Sequence, residues 1–177
     1  MCTVSFFPLN EGFCITSNRD EKITRQKAIP PKMYLIDGKE IYFPKDPKAG
    51  GTWFAHDKNN VIVLLNGAQE KHVVKDNYRK SRGIIVIELI ASKNPFLEWQ
   101  TLDLNEIEPF TIILFSENKL HQLQWNEIEK STLELDIYKS YIWSSSTLYS
   151  KEIRTERTLW FSKFTATVLP LNNSFSN

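Results

Sequence analysis

A cysteine stands at position 2, directly behind the initiator methionine, and the run Asn18-Arg19-Asp20-Glu21 closes the segment that follows it. Removal of Met1 would leave Cys2 with a free α-amine beside its own thiol, a nucleophile and a titratable nitrogen on one residue. The plain alternative is that Cys2 is the first small apolar residue of a strand. Which reading holds depends on the elements that position it.

Thr3–Phe7 and Phe13–Ser17 are short apolar runs around Leu9-Asn10-Glu11-Gly12, a pattern that predicts a β-hairpin. In that hairpin Cys14 falls opposite Phe6 or Phe7, and Cys2 falls opposite the Ser17–Asn18 end. About four residues of strand at ~3.4 Å each then separate the thiols, beyond the ~7 Å Cα limit of a disulfide. Both cysteines are therefore expected free, with Cys14 as ordinary core. The same pairing sets Asn18 to Asp20 across the sheet from Cys2.

Downstream, residues 19–33 read as a polar loop containing Pro30-Pro31. Tyr34–Ile36 and Ile41–Phe43 flank Asp37-Gly38, a second hairpin signal. Thr52–Ala55 and the β-branched Val61–Leu65 continue the antiparallel pattern around an Asp57–Asn60 turn. The pattern then changes. Ser81 is a candidate N-cap for a helix through Ile90, and Asn94-Pro95 opens a short helix through Trp99. A helical stub is predicted at Leu104–Ile107. Strands return at Thr111–Phe115, Leu120–Trp125, Leu133–Ile137 and Tyr141–Trp143. A basic, aromatic helix over Ser150–Phe164 should turn Trp160, Phe161 and Phe164 to the core, before a polar tail at Leu171–Asn177. This order is that of a layered α+β domain, read as one unit over 1–177.

With 22 basic and 21 acidic side chains the net charge is +1, which offers no electrostatic footprint for nucleic acid or an anionic membrane. The cluster Lys71, Lys75, Arg79, Lys80 and Arg82 is interrupted by Asp76 and reads as a solvated face, with a functional face as the alternative. No apolar run approaches the ~18 residues of a membrane span, and no secretory signal pattern opens the chain, so stable membrane insertion is not expected and a cytoplasmic location is. His56, His72 and His121 lack ligand spacing, so neither a metal nor a cofactor is expected. Arg154 and Arg157 could clamp a carboxylate or phosphate, although spacing with Glu152 and Glu156 favours a solvated face.

Four short stretches place Gly, Asn, Arg and Asp where a plain strand or helix would not: Asn18-Arg19-Asp20-Glu21, Gly50-Gly51-Thr52-Trp53, Leu65-Asn66-Gly67 and Ser81-Arg82-Gly83. Each alone is explicable as turn or cap chemistry. Together with Met1-Cys2, in this order, and with Trp143-Ser144-Ser145-Ser146-Thr147 before an Arg-rich helix, the pattern over roughly residues 1–165 resembles the NRDE family, also called the transport-and-Golgi-organisation protein 2 family.

The resemblance implies an N-terminal-nucleophile hydrolase-like αββα sandwich of antiparallel sheets, here expected to be incomplete at its C-terminal side. It implies that Cys2, freed by Met1 removal, attacks an amide carbonyl. Its α-amine, with an ordinary pKa of about 7.7–8.0, would act as the base. Asp20 matches the aspartate that holds the amine, Asn18 a neighbouring asparagine, and Asn66 the residue whose backbone N–H contributes to an oxyanion hole. Arg19, Arg82 and Ser146 are the expected substrate contacts. Ser146 stands where those hydrolases carry a second oxyanion asparagine, a change that can cost on the order of 10²–10³ in rate. Ser17 replaces an arginine of the bile-salt hydrolases.

Two functions follow. One is a cysteine-dependent hydrolase of an amide or related acyl bond. The other is a non-catalytic carrier on the same fold, binding a lipid, an acyl compound or haem. Either takes a small molecule as its partner, and the residues name neither the molecule nor the oligomeric state.

Overall fold

The computed structural model describes residues 2–19, 24 and 26–172, with Cys2 and 168–172 described by backbone alone. Ten strands and three helices are formed among these residues. The strands divide into two antiparallel sheets. The smaller has the order β10-β1-β2, from β1 (Cys2–Pro8), β2 (Phe13–Arg19) and β10 (Tyr141–Ser144). The larger runs β3 to β9 in sequence order: β3 (Ile29–Ile36), β4 (Lys39–Lys45), β5 (Phe54–His56), β6 (Val61–Asn66), β7 (Phe110–Ser116), β8 (Lys119–Trp125) and β9 (Lys130–Leu135).

The larger sheet is apolar on both faces because it is covered on both. Side chains alternate along a strand, so a near-continuous apolar run such as Val61–Leu65 must bury two faces. On one face Ile62, Leu64, Ile112, Leu114 and Leu123 meet Ile85, Val86, Leu89 and Ile90 of α1 (Arg82–Ala91) and Trp99 of α2 (Pro95–Thr101). On the other, Val63, Leu65, Ile113 and Leu120 meet Val4 and Phe6 of the small sheet. The third helix, α3 (Lys151–Asn172), packs outside the small sheet against β10. The layers are thus helices, sheet, sheet, helix.

Local chemistry sets the element ends. The β3–β4 hairpin turns on Asp37 (φ 50°) and Gly38 (φ 78°), the paired left-handed residues of a type I′ turn. Glu117 and Asn118 do the same between β7 and β8. Ser81 caps α1 by accepting from the Gly83 N–H. Asn94 Oδ1 accepts from Phe96 N and Leu97 N at 3.0 Å each, capping α2, a contact worth about 1 kcal/mol.

Four expectations are corrected. Pro30-Pro31 lie inside β3, not in a loop. An edge strand with a register shift between Ile29 and Lys32 tolerates residues without an N–H. Leu104–Ile107 is a turn, since Glu106 at φ 58° cannot continue a helix, and Ile107 instead forms a parallel bridge to Lys80. Cys14 is exposed and free, because it shares the outward row of β2 with Thr16 and Asn18. On α3, Trp160 and Phe164 are 63% and 51% exposed. The face turned inward is Arg154, Arg157, Phe161 and Thr165, since the sheet surface beneath it is polar.

His121 illustrates how the helical face constrains a titratable group. Its ring stacks on Phe96 of α2 at 4.3 Å, and its Nδ1 is buried with no hydrogen-bond partner. Burial holds its pKa below the usual 6.5, opposed by Glu134 and reinforced by Lys119. The unfolded chain therefore takes up a proton that the folded chain refuses, so stability is full above the unfolded value and falls as pH drops through it. Urea denaturation between pH 7.5 and 5 should show that decline, and His121→Gln should flatten it. Asp57 and Glu134, whose pKa values are lowered from the carboxylate range, contribute fully across that window and lose their contribution only below it.

Candidate functional site

The hairpin register is Cys2↔Arg19, Thr3↔Asn18 and Phe7↔Cys14. Cys2 is therefore opposite Arg19, one residue further along than the Ser17–Asn18 end. Five residue steps along β1 separate its position from that opposite Cys14. Met1, Asp20 and Glu21 lie outside the described residues, so the carboxylate expected to hold the α-amine is not placed. Asn18 is exposed in the row of Thr16, with Thr3 opposite it, whereas Arg19 turns to the inner side with Ser17. Asn18 lines a separate cleft with Thr3, Tyr149 and Arg157.

Arg19 is held by the Gly50-Gly51-Thr52-Trp53 loop and the turn before it. Its guanidinium lies 3.9 Å over the Trp53 ring and 3.4 Å from Asp46 Oδ2. Asp46 is itself fixed: its Oδ1 accepts from Lys48 N and Ala49 N, and its backbone bonds Gly50 and Gly51. Gly51 then meets Gly83 back to back. A Cβ on Gly51 would lie 2.4 Å from the Gly83 carbonyl carbon, and one on Gly83 would lie 2.8 Å from Thr52 N. Thr52 N–H donates to the Gly83 carbonyl at 3.1 Å. Only glycine permits that approach.

Beside Gly83, Arg82 donates to the Pro109 carbonyl at 3.1 Å and pairs with Glu108 at 2.9 Å, so its side chain braces the strand end. Gly67 N–H donates to the same Pro109 carbonyl at 3.0 Å. Gly67, at φ 82°, lies against Ser146, whose Oγ would be 2.2 Å from an added Cβ. Three other cations of the Lys71–Arg82 cluster are spread over separate partners: Lys75 with Glu127, Arg79 with Asp103 and Lys80 with Glu88.

The strand end at Asn66 is tied to the strand beside Cys2. Thr3 pairs with Ser144, so the chain leaves β10 next to Cys2 and carries Ser145 to Asn66. There Ser145 Oγ donates to the Asn66 carbonyl at 2.7 Å. Ser146 Oγ donates to the Glu70 carbonyl at 3.3 Å, so its hydroxyl proton is already directed at the protein. Leu64 N–H donates to the Trp53 carbonyl, and by the two-residue period of a strand Asn66 aims its N–H to the same side.

Sequence reasoning missed Asp46, Glu108 and Pro109. Asp46 looks like any loop acid, and a carbonyl such as that of Pro109 leaves no trace in residue type. The histidines are all engaged: His72 with Glu108 at 3.2 Å, His56 stacked on Tyr42, and His121 on Phe96. Among the described residues no group of three or more His, Cys, Asp or Glu gathers to hold a metal, and no helix is long and apolar enough to cross a membrane.

These elements define a mixed α+β protein of antiparallel sheets in which the four Gly- and Asn-bearing motifs converge on one end of the strands. The family model described as Transport and Golgi organisation 2 matches residues 1–166, and the chain belongs to that family, which is the NRDE family. A search of curated proteins finds no match.

The Gly51–Gly83 contact yields a direct test. Gly51→Ala and Gly83→Ala should each destabilise the protein by roughly 2–3 kcal/mol or more, the cost of overpacking against backbone that cannot retreat. Gly12→Ala, where a Cβ meets nothing within 4 Å but φ is 81°, should cost only about 1 kcal/mol. Urea midpoints of the three variants measure the difference.

Proposed function

We propose that the chain is a cysteine-dependent hydrolase of an amide or related acyl bond, with Cys2 as nucleophile once Met1 is removed. The observation that carries the reading is the register Cys2↔Arg19, which brings the start of the chain beside the Asn-Arg-Asp-Glu segment. The α-amine of Cys2 is the base, Asp20 its partner, and the Asn66 N–H a donor to the developing oxyanion. Kinship with the N-terminal-nucleophile hydrolases belongs to the same proposal, supported by the order of helix, sheet, sheet and helix layers. Arg19, steered by Trp53 and Asp46, acts at the rim of the site.

A second reading, a non-catalytic carrier of a lipid, an acyl compound or haem, is favoured by one specific observation. Ser145 and Ser146 direct their hydroxyls to the carbonyls of Asn66 and Glu70, so that stretch offers no ready second oxyanion donor. The carrier would use the fold without the nucleophile.

Intact mass of the purified protein separates the two at the first step. The hydrolase requires a mass lower by one methionine, and retained Met1 ends that mechanism because Cys2 then has no free amine. With Met1 gone, Cys2→Ala should abolish turnover of a panel of N-acyl amides, while Cys14→Ser should leave it unchanged. Haem that shifts its Soret band equally with wild type and Cys2→Ala, without turnover by either, would establish the carrier instead.

A further inference from the structure

The two arginines of α3 have different fates, and the difference points to a ligand. Arg157 is satisfied within the protein: it donates to Thr3 Oγ1 at 2.8 Å, reaches Ser144 Oγ at 3.4 Å, and lies 4.2 Å over the Tyr149 ring. Arg154, one turn earlier on the same inward face, enters a cleft of about 330 Å³ between β10 and the inner face of the larger sheet. Its Nε is buried and has no hydrogen-bond partner among the described residues. A buried guanidinium N–H without an acceptor costs free energy that a folded chain rarely leaves unrecovered.

No acceptor of the cleft is hydrogen-bonded to that Nε among the described residues. Gln122 accepts from Trp143 Nε1 through its Oε1 at 2.8 Å, which turns its NH₂ away from the indole as a donor. Gln124 Nε2 is committed to Thr111 Oγ1 at 3.0 Å. Lys151 adds a second cation to the lining, and Glu70 is its one carboxylate. The charge of the lining is therefore +2 − 1 = +1, which balances a monoanion better than a phosphate carrying about −1.5 to −2. Leu65, Ala68 and Ile142 supply apolar wall for a carbon skeleton.

We infer that this cleft binds a small organic carboxylate, with Arg154 gripping the carboxylate group and Gln122 and Trp143 forming the adjoining wall. Guanidinium and carboxylate match as planar forks, and a charge-assisted pair in a partly dry cleft is stronger than a neutral one. Ser144, Ser145 and Ser146 of the cleft wall lie on the segment that β10 carries past Cys2, but the grip is that of Arg154 and holds whether or not Cys2 is a nucleophile.

The Trp143 indole N–H, bonded to Gln122, is a resolved reporter in ¹⁵N-labelled protein. Benzoate should shift that resonance in a saturable way. Benzamide, of the same shape but neutral, should not do so at the same concentrations. Arg154→Gln should weaken benzoate binding roughly ten- to a hundredfold, the cost of losing a hydrogen bond to a charged group. Arg154→Lys, which keeps charge and stem but loses the fork, should weaken it severalfold and covers the case in which Arg154→Gln fails to fold. The inference is overturned if benzoate leaves Trp143 unmoved, if benzamide or inorganic phosphate binds as well as benzoate, or if either Arg154 variant that folds binds benzoate like the wild type.

Discussion

Everything at the motif-bearing end of this protein rests on two backbones touching without side chains between them. Gly51 and Gly83 approach so closely that a Cβ on Gly51 would overlap the Gly83 main chain and one on Gly83 the Thr52 main chain, and the Thr52 N–H is satisfied by the Gly83 carbonyl. That contact fixes the first turn of α1 against the loop that leads into β5. From it the constraint spreads in two directions. One path runs through Trp53 and the Asp46 turn to Arg19, opposite Cys2. The other runs through Arg82 to the Pro109 carbonyl, and from there to Gly67 and Ser146. Four motifs far apart in sequence are thus successive links of one mechanical chain.

This explains why the motifs were legible as a set but not singly. A Gly-Gly or an Asn-Gly reads as a turn, and that reading is correct at Asp37-Gly38, where nothing approaches the glycine. At Gly51, Gly67 and Gly83 the same residue type answers to a neighbour contributed by a distant segment, which local pattern cannot contain. Hairpins and caps, being local, were visible from Leu9–Gly12, Ser81 and Asn94-Pro95. The family resemblance links the distant glycines, and the Gly51–Gly83 and Gly67–Ser146 contacts are its physical content.

Period two and layer chemistry account for the misreadings. Asn18-Arg19-Asp20-Glu21 looks like one cluster, yet a strand alternates, so Asn18 faces α3 while Arg19 faces Trp53. On α3, aromatic content suggested Trp160 and Phe164 as core. The small sheet, however, presents Thr3, Ser5, Thr16 and Asn18 to that helix. A polar sheet surface accepts an arginine with a long apolar stem and a donor head more readily than an indole ring, so Arg157 turns inward over it while Trp160 stays largely exposed at the edge of the same cleft. The inward face of a helix is decided by what it packs on, and no single helix sequence reports that.

The strand end at Asn66 is held by the same kind of backbone constraint. The peptide unit joining Asn66 to Gly67 is gripped at both ends: its oxygen accepts from Ser145 Oγ at 2.7 Å, and its N–H donates to the Pro109 carbonyl at 3.0 Å. Gly67 at φ 82° lets the chain turn away immediately after, against Ser146. With that unit clamped, the preceding N–H, of Asn66 itself, has little freedom to swing, and it is directed to the side where the Trp53 carbonyl receives Leu64. Electrostatic stabilisation depends on dipoles fixed before charge develops, because a donor that must reorient gives back much of what it contributes. A hydroxyl spent on holding a peptide in place is not lost to such a site. Ser145 spends its hydroxyl on fixing that peptide unit, which under the proposed hydrolase reading steadies the Asn66 N–H as a backbone donor, and β10 delivers it there without an additional side chain.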